Sequence, residues 1–192
     1  MKVLIVGGGG IGSYLTKFIG EYLLKGLIDF NEVTITIMDD DIVELKNLNH
    51  QNFEIEDLGN PKVDALKKYN VLTINERLTN SKQFIDYDMI LCCVDNDTTR
   101  ALIYLTCHDR GIEFIDIRSQ GKRVFCSPKG ISYEEDSKFL DLKDTTNYSC
   151  QEKKDLKNGQ IQFTNRIAAS IGFQMFLNYL RKAPNHKINF VV

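Results

Sequence analysis

The sequence predicts an α/β protein: a Rossmann-like, mostly parallel sheet with helices on both faces, followed by a C-terminal excursion, a helix and a final strand. Three observations carry this reading. Short apolar runs alternate with segments whose apolar residues recur at helical spacing. The first apolar run stops at a Gly-rich turn that opens a helix, the join typical of nucleotide-binding folds. The chain has 192 residues, enough for one well-filled core and short of two domains of usual size, so residues 1–192 read as a single nucleotide-binding domain.

The elements follow in order. Residues 3 to 6, "VLIV", are continuously apolar, as a strand buried on both faces must be. Ile11, Leu15, Phe18, Ile19, Tyr22 and Leu23 then recur at helical spacing, and Gly26 is placed to end that helix. Val33 to Met38 is β-branched and strand-like. Asn60 and Pro61 read as N-cap and first helical residue of a helix through Tyr69. "VLTI" (71–74) and "MILCCV" (89–94) are further strands, a helix runs from about Thr98 to His108 and stops near Gly111, and "EFIDI" (113–117) is the next strand. The rhythm breaks over Ser132 to Gly159, which is charged and poor in aliphatics. It reads as a mobile crossover loop, and loops of that length in compact domains are commonly functional. An apolar helix from about Phe163 to Leu180 and a last strand, "KINFVV" (187–192), complete the set.

Composition narrows the function classes. A formal charge of −2 supplies no basic field, so nucleic acid is not an expected partner. No apolar run reaches the roughly 18 residues that span a bilayer, and "MKVLIVGGGG" lacks the features of a signal peptide, which points to a cytoplasmic protein without membrane partners. The five cysteines are odd in number and unevenly spread, which suits reduced thiols. No Cys-x-x-Cys pair occurs, so no zinc is expected.

Gly7, Gly9 and Gly12 in "VGGGGIG" have Gly-x-Gly-x-x-Gly spacing between a strand and a helix. The first glycine permits a tight turn, the second lets backbone approach a phosphate, and the third lets helix and strand pack closely. The pattern indicates a nucleotide without specifying which. An acid after the second strand should then meet a ribose, and Asp39 is the candidate; a solvated strand-end carboxylate is the plainer alternative.

Four blocks in order, "GGGGIG", "DDDIVELKNLNHQNF", "GNPKVDAL" and "CCVDNDTTR", resemble the ThiF/MoeB-type adenylyltransferases, the superfamily that includes ubiquitin-activating enzymes. The resemblance implies ATP across the carboxyl ends of the strands. A carboxy-terminal glycine, from a ubiquitin-like or sulfur-carrier protein or a small peptide, would become an acyl-adenylate. It implies Gly9 and Gly10 along the phosphates, Asp39 at the ribose, Asp41 and Asn47 orienting polyphosphate and catalytic groups, and Gln51 among the cofactor-binding residues. Lys62 would neutralise phosphate charge, and Asp95 with Asn96 would hold Mg²⁺. That matches the chemistry, since attack of one anion on another needs cations around the phosphates, and Mg²⁺ takes one or two carboxylates plus phosphate oxygens. The resemblance also implies a homodimer, or a heterodimer with a complete relative.

Two departures stand out. His50 occupies the place of an arginine in the family's block, exchanging a permanent charge for a titratable one. The family's arginine upstream of the first strand has no counterpart in a chain that starts in that strand, and Arg118, Arg123 and Arg166 are candidate replacements. Cys150 lies in a polar segment with Lys153 and Lys154 nearby, so it is a candidate thioester acceptor, against the alternative of an ordinary surface thiol. Adenylylation leads; a catalytically degenerate partner- or nucleotide-binding subunit is the alternative. A nicotinamide oxidoreductase ranks last, because Lys62 and Asp95 have no task in hydride transfer.

Overall fold

The computed structural model describes residues 1–29, 31–128 and 163–192. Its framework is a seven-stranded sheet in the order β3-β2-β1-β4-β5-β6-β7. The strands are β1 (Lys2–Val6), β2 (Thr34–Met38), β3 (Leu72–Ile74), β4 (Met89–Cys92), β5 (Glu113–Gln120), β6 (Arg123–Pro128) and β7 (Ile188–Val191). Neighbours from β3 through β5 are parallel. The β5–β6 and β6–β7 pairs are antiparallel.

The continuous apolar strands explain themselves in the packing. Val3 and Ile5 of β1 point into one core with Ile35 and Ile37, while Leu4 and Val6 point into a second core with Met38 and Ile90. Both faces of β1 from Val3 to Val6 and of β4 are therefore buried, and these two stretches are apolar throughout. The first core is covered by α1 (Gly10–Leu24) and by α4 (Thr164–Leu180), joined by an edge-to-face contact of Tyr22 with Phe173 at 4.7 Å. The second is covered by α3 (Asp97–Arg110) through Ile103 and Cys107. Strand order reverses between β1 and β4, with β2 on one side of β1 and β4 on the other. Open α/β sheets bind ligands at such a switch point, outside the strands' carboxyl ends.

One helix start differs from expectation. Pro61, not Asn60, is the N-cap, with an extended ψ of 135°, and α2 (Lys62–Leu66) has only five residues. Pro61 also bridges to Ile42, and Lys62 N–H donates to Asp41 C=O, so the segment is pulled into strand-like pairing before the helix can begin. A 3₁₀ turn over Lys67–Tyr69 follows, closed by Asn70 at φ 64°. Gly111 at φ 71° caps α3 as expected. The charged stretch 132–159 lies outside the described residues.

Candidate functional site

The glycine turn is built by contacts that differ from one glycine to the next. Gly7 has φ +94°, and a Cβ there would stand 2.9 Å from the carbonyl oxygen of Cys93 at the end of β4. A Cβ on Gly12 would overlap the Gly7 carbonyl, and one on Gly10 would overlap the amide of Asn165. A Cβ on Gly9 would meet nothing within 4 Å beyond its chain neighbours. Three glycines are thus required by the protein's own packing, and the fourth faces open space where a ligand can approach backbone.

Asp39 follows β2 at the same edge of the sheet. Its carboxylate accepts from Gly8 N–H at 2.6 Å and from Asp41 N–H at 2.8 Å. Burial pushes its pKa above the usual carboxylate value, opposed by Lys62 and by these two hydrogen bonds. Lys62 is buried at 5% exposure, and its ammonium donates to Asp41 at 2.7 Å. Asp40 pairs with Arg77. The three carboxylates lie within 4.8 Å of one another, yet each already has an internal partner. Asp95 differs: it is exposed just beyond β4, and no ion pair engages it among the described residues. Its neighbour Asn96 is the N-cap of α3, accepting from Thr99 N–H at 2.8 Å, so that oxygen is committed to the helix.

The segment between β2 and α2 folds back over the glycine turn. Asn47 is buried and accepts from Glu44 N–H, and its carbonyl accepts from the N–H groups of His50 and Gln51. Asn52 N–H donates to Ser13 on the first turn of α1, and the Asn165 amide donates to the His50 carbonyl. The side-chain atoms His50 Nδ1 and Gln51 Oε1 are buried with no hydrogen-bond partner among the described residues. Orphaned polar atoms beside an open glycine fit a site shaped for a polar ligand. Burial first, then Lys62 and Lys46, push the His50 pKa below 6.5.

Sequence spacing does not reveal two buried arrangements. Asp116 on β5 accepts from both Arg100 of α3 and Arg118, and Arg100 also donates to the Val94 carbonyl. Ser119 on β5 donates to Asn165 of α4 at 2.6 Å. Arg118 is two residues from Asp116 on β5, but Arg100 is 16 residues away on α3 and Asn165 is 46 residues from Ser119, so the packing of α3 and α4 on β5 completes each set. Of the three candidate replacement cations, Arg118 is engaged by Asp116, Arg123 is exposed on β6, and Arg166 lies over the rings of Tyr14 and Phe163 at 4.7 and 4.6 Å. Cys92, Cys93, Cys107 and Cys126 are all buried, and burial raises the Cys92 thiol to about 11, which suits packing roles. Cys150 lies outside the described residues.

A strand order that reverses beside a glycine turn defines this as a Rossmann-like α/β protein. The chain belongs to the ThiF family, whose profile matches residues 1–191. It is 32% identical over 114 residues to the adenylyltransferase and sulfurtransferase UBA4 of Meyerozyma guilliermondii, a match covering 53% of this chain and 25% of that protein. For UBA4 of Lodderomyces elongisporus the identity is 36% over 118 residues, covering 55% and 24%. The matches thus take in about a quarter of these relatives' length. Among solved structures, E. coli MccB with ATP superposes with a TM-score of 0.74 at 17% identity, covering all of this chain and 60% of that one. PaaA gives a TM-score of 0.69 at 20% identity with the same coverage. At these identities the likeness establishes the fold. No helix among the described residues is long and apolar enough to cross a membrane.

Proposed function

We propose that the protein adenylylates a carboxylate with ATP, the carboxylate being the C-terminal glycine of a ubiquitin-like or sulfur-carrier protein or of a small peptide. The observation that carries this reading is the buried Lys62 ammonium, held by Asp41 beside Asp39 and the open Gly9 backbone. Relatives named as adenylyltransferases and a fold neighbour solved with ATP support it.

In this reading Asp39 accepts from ribose hydroxyls, while Gly9 and Gly10 N–H groups meet phosphate at the start of α1. The substrate carboxylate oxygen attacks the α-phosphorus, the bond to the β-phosphate bridging oxygen breaks, and pyrophosphate leaves with its electron pair. Lys62 offsets the accumulating negative charge. Asp95 is the carboxylate that would hold Mg²⁺, which supplies further positive charge to the phosphates. Cys150 is the candidate acceptor: its thiolate would attack the acyl carbonyl, form a thioester and release AMP.

Pyrophosphate exchange into ATP, driven by a peptide ending in glycine, tests the reading. Exchange should appear with the wild type and fall in Lys62→Ala. A charge-assisted contact is worth about 1.5–3 kcal/mol, roughly a 10- to 100-fold loss. ATP binding without exchange for any C-terminal glycine offered would overturn it in favour of a binding subunit.

A further inference from the structure

Asn165 sits at the second residue of α4, where nothing in its sequence context marks it, yet it touches three separate parts of the molecule. Its Oδ1 accepts from Ser119 of β5 at 2.6 Å, and its Nδ2 donates to the His50 carbonyl at 3.1 Å. The same amide fills the space where a side chain on Gly10 would stand. Asn165 is 2% exposed and Ser119 is 8% exposed, so these bonds are shielded from competing water. The His50 carbonyl can only accept and so takes the NH2 end of the amide, while the Ser119 hydroxyl, able to donate or accept, donates to the Oδ1 that remains.

We propose that Asn165 is a positioning residue that clamps the His50 segment and the glycine turn to α4, with Ser119 anchoring its amide oxygen. Among the described residues the same segment is also tied to α1, where Asn52 N–H donates to Ser13 at 3.0 Å. Without the Asn165 bond the His50 end has a weaker hold on the turn, and the half-buried His50 and Gln51 are no longer presented to it in one arrangement. A substrate contacting both the glycine backbone and His50 then meets a site that must be ordered on binding. This deepens the adenylylation reading and rests on it for its nucleotide readout alone.

The test compares Ser119→Ala, Ser119→Thr and Asn165→Asp with wild type by two measurements. One is the titration of the His50 ring by NMR, in a chain with only three histidines, assigned with His50→Gln. The other is ATP-Mg²⁺ affinity by calorimetry. The groups acting on His50 are Lys62 and Lys46 together with its own burial. Releasing the segment hydrates the ring, so the midpoint should move up toward 6.5 in Ser119→Ala and Asn165→Asp. Affinity should fall about three- to tenfold, the scale of one hydrogen bond, and Ser119→Thr, which keeps the hydroxyl, should retain both wild-type values. Lower melting temperatures with an unchanged His50 midpoint and unchanged affinity would overturn the clamp and leave Asn165 as packing. If Asn165→Asp does not fold, Ser119→Ala decides by the same criteria. If wild type binds no ATP, the adenylylation reading fails, and the His50 midpoint still judges the clamp.

Discussion

At the scale of single residues, His50 holds the sharpest chemical expectation. In the unliganded protein its pKa lies below 6.5, so the imidazole is neutral at pH 7. The unfolded chain takes up that proton first. The folded state therefore loses stability as pH falls from about 6.5 through the folded value, and gains nothing from His50 above that window. Binding of polyphosphate would favour the imidazolium and raise the pKa again, so ATP binding should take up a proton. Affinity should then weaken as pH rises through the bound-state value. Calorimetry at pH 6 and pH 8, corrected for ionisation of the nucleotide, should show weaker binding at pH 8. His50→Arg should remove the difference because its charge is permanent. Equal wild-type affinity at both pH values would mean that His50 meets no phosphate as a cation.

The glycine turn between β1 and α1 makes its prediction at the scale of an element. The missing side chain of Gly9 faces open space, so Gly9→Ala should cost clearly less stability than Gly12→Ala. It should nonetheless weaken ATP binding by roughly tenfold, the worth of one charge-assisted hydrogen bond. Gly12→Ala should do the reverse, because its Cβ meets the Gly7 carbonyl; forced overpacking costs about 1–3 kcal/mol or more. Chemical denaturation and calorimetry on both variants check the pair, and a Gly9→Ala as destabilised as Gly12→Ala would contradict the open-space reading. The turn was legible in sequence because strand, glycine spacing and helix are contiguous. The start of α2 was misplaced because Asn60–Pro61 is a sound local cap signal, whereas the bridge from Ile42 to Pro61 that overrides it is a tertiary contact. Asn165 left no signal, since an asparagine in the first turn of a helix is ordinary and only the packing of α4 on β5 gives it partners.

For the whole molecule, the parallel sheet was readable because strands buried on both faces must be continuously apolar. The charged cluster within it was not. Asp116 is 3% exposed and holds Arg100 and Arg118 between β5 and α3. Asp116→Ala would leave buried guanidinium charge unpaired and should cost about 3–5 kcal/mol by denaturant unfolding. A loss below 1 kcal/mol would show that Arg100 reaches water when its partner is removed. Assembly belongs to this scale too. Ile42, Leu45 and Ile55 are exposed in the folded chain, and a two-fold pair is the commonest soluble assembly. We therefore expect a dimer by light scattering at micromolar concentration with ATP present, against which a strict monomer would count.

The ion pair between Lys62 and Asp41 has a consequence for what the crevice rejects. A cation already matched by its own counter-ion offers little to inorganic phosphate or sulfate, which must displace a carboxylate at 2.7 Å while gaining few other contacts. In the adenylylation reading, a molecule engaging the strand-end acid and the glycine backbone at the same time would gain enough to drive that exchange. A built-in competitor of this kind would make the site discriminating toward small anions, at the expense of some raw affinity for the molecule it accepts.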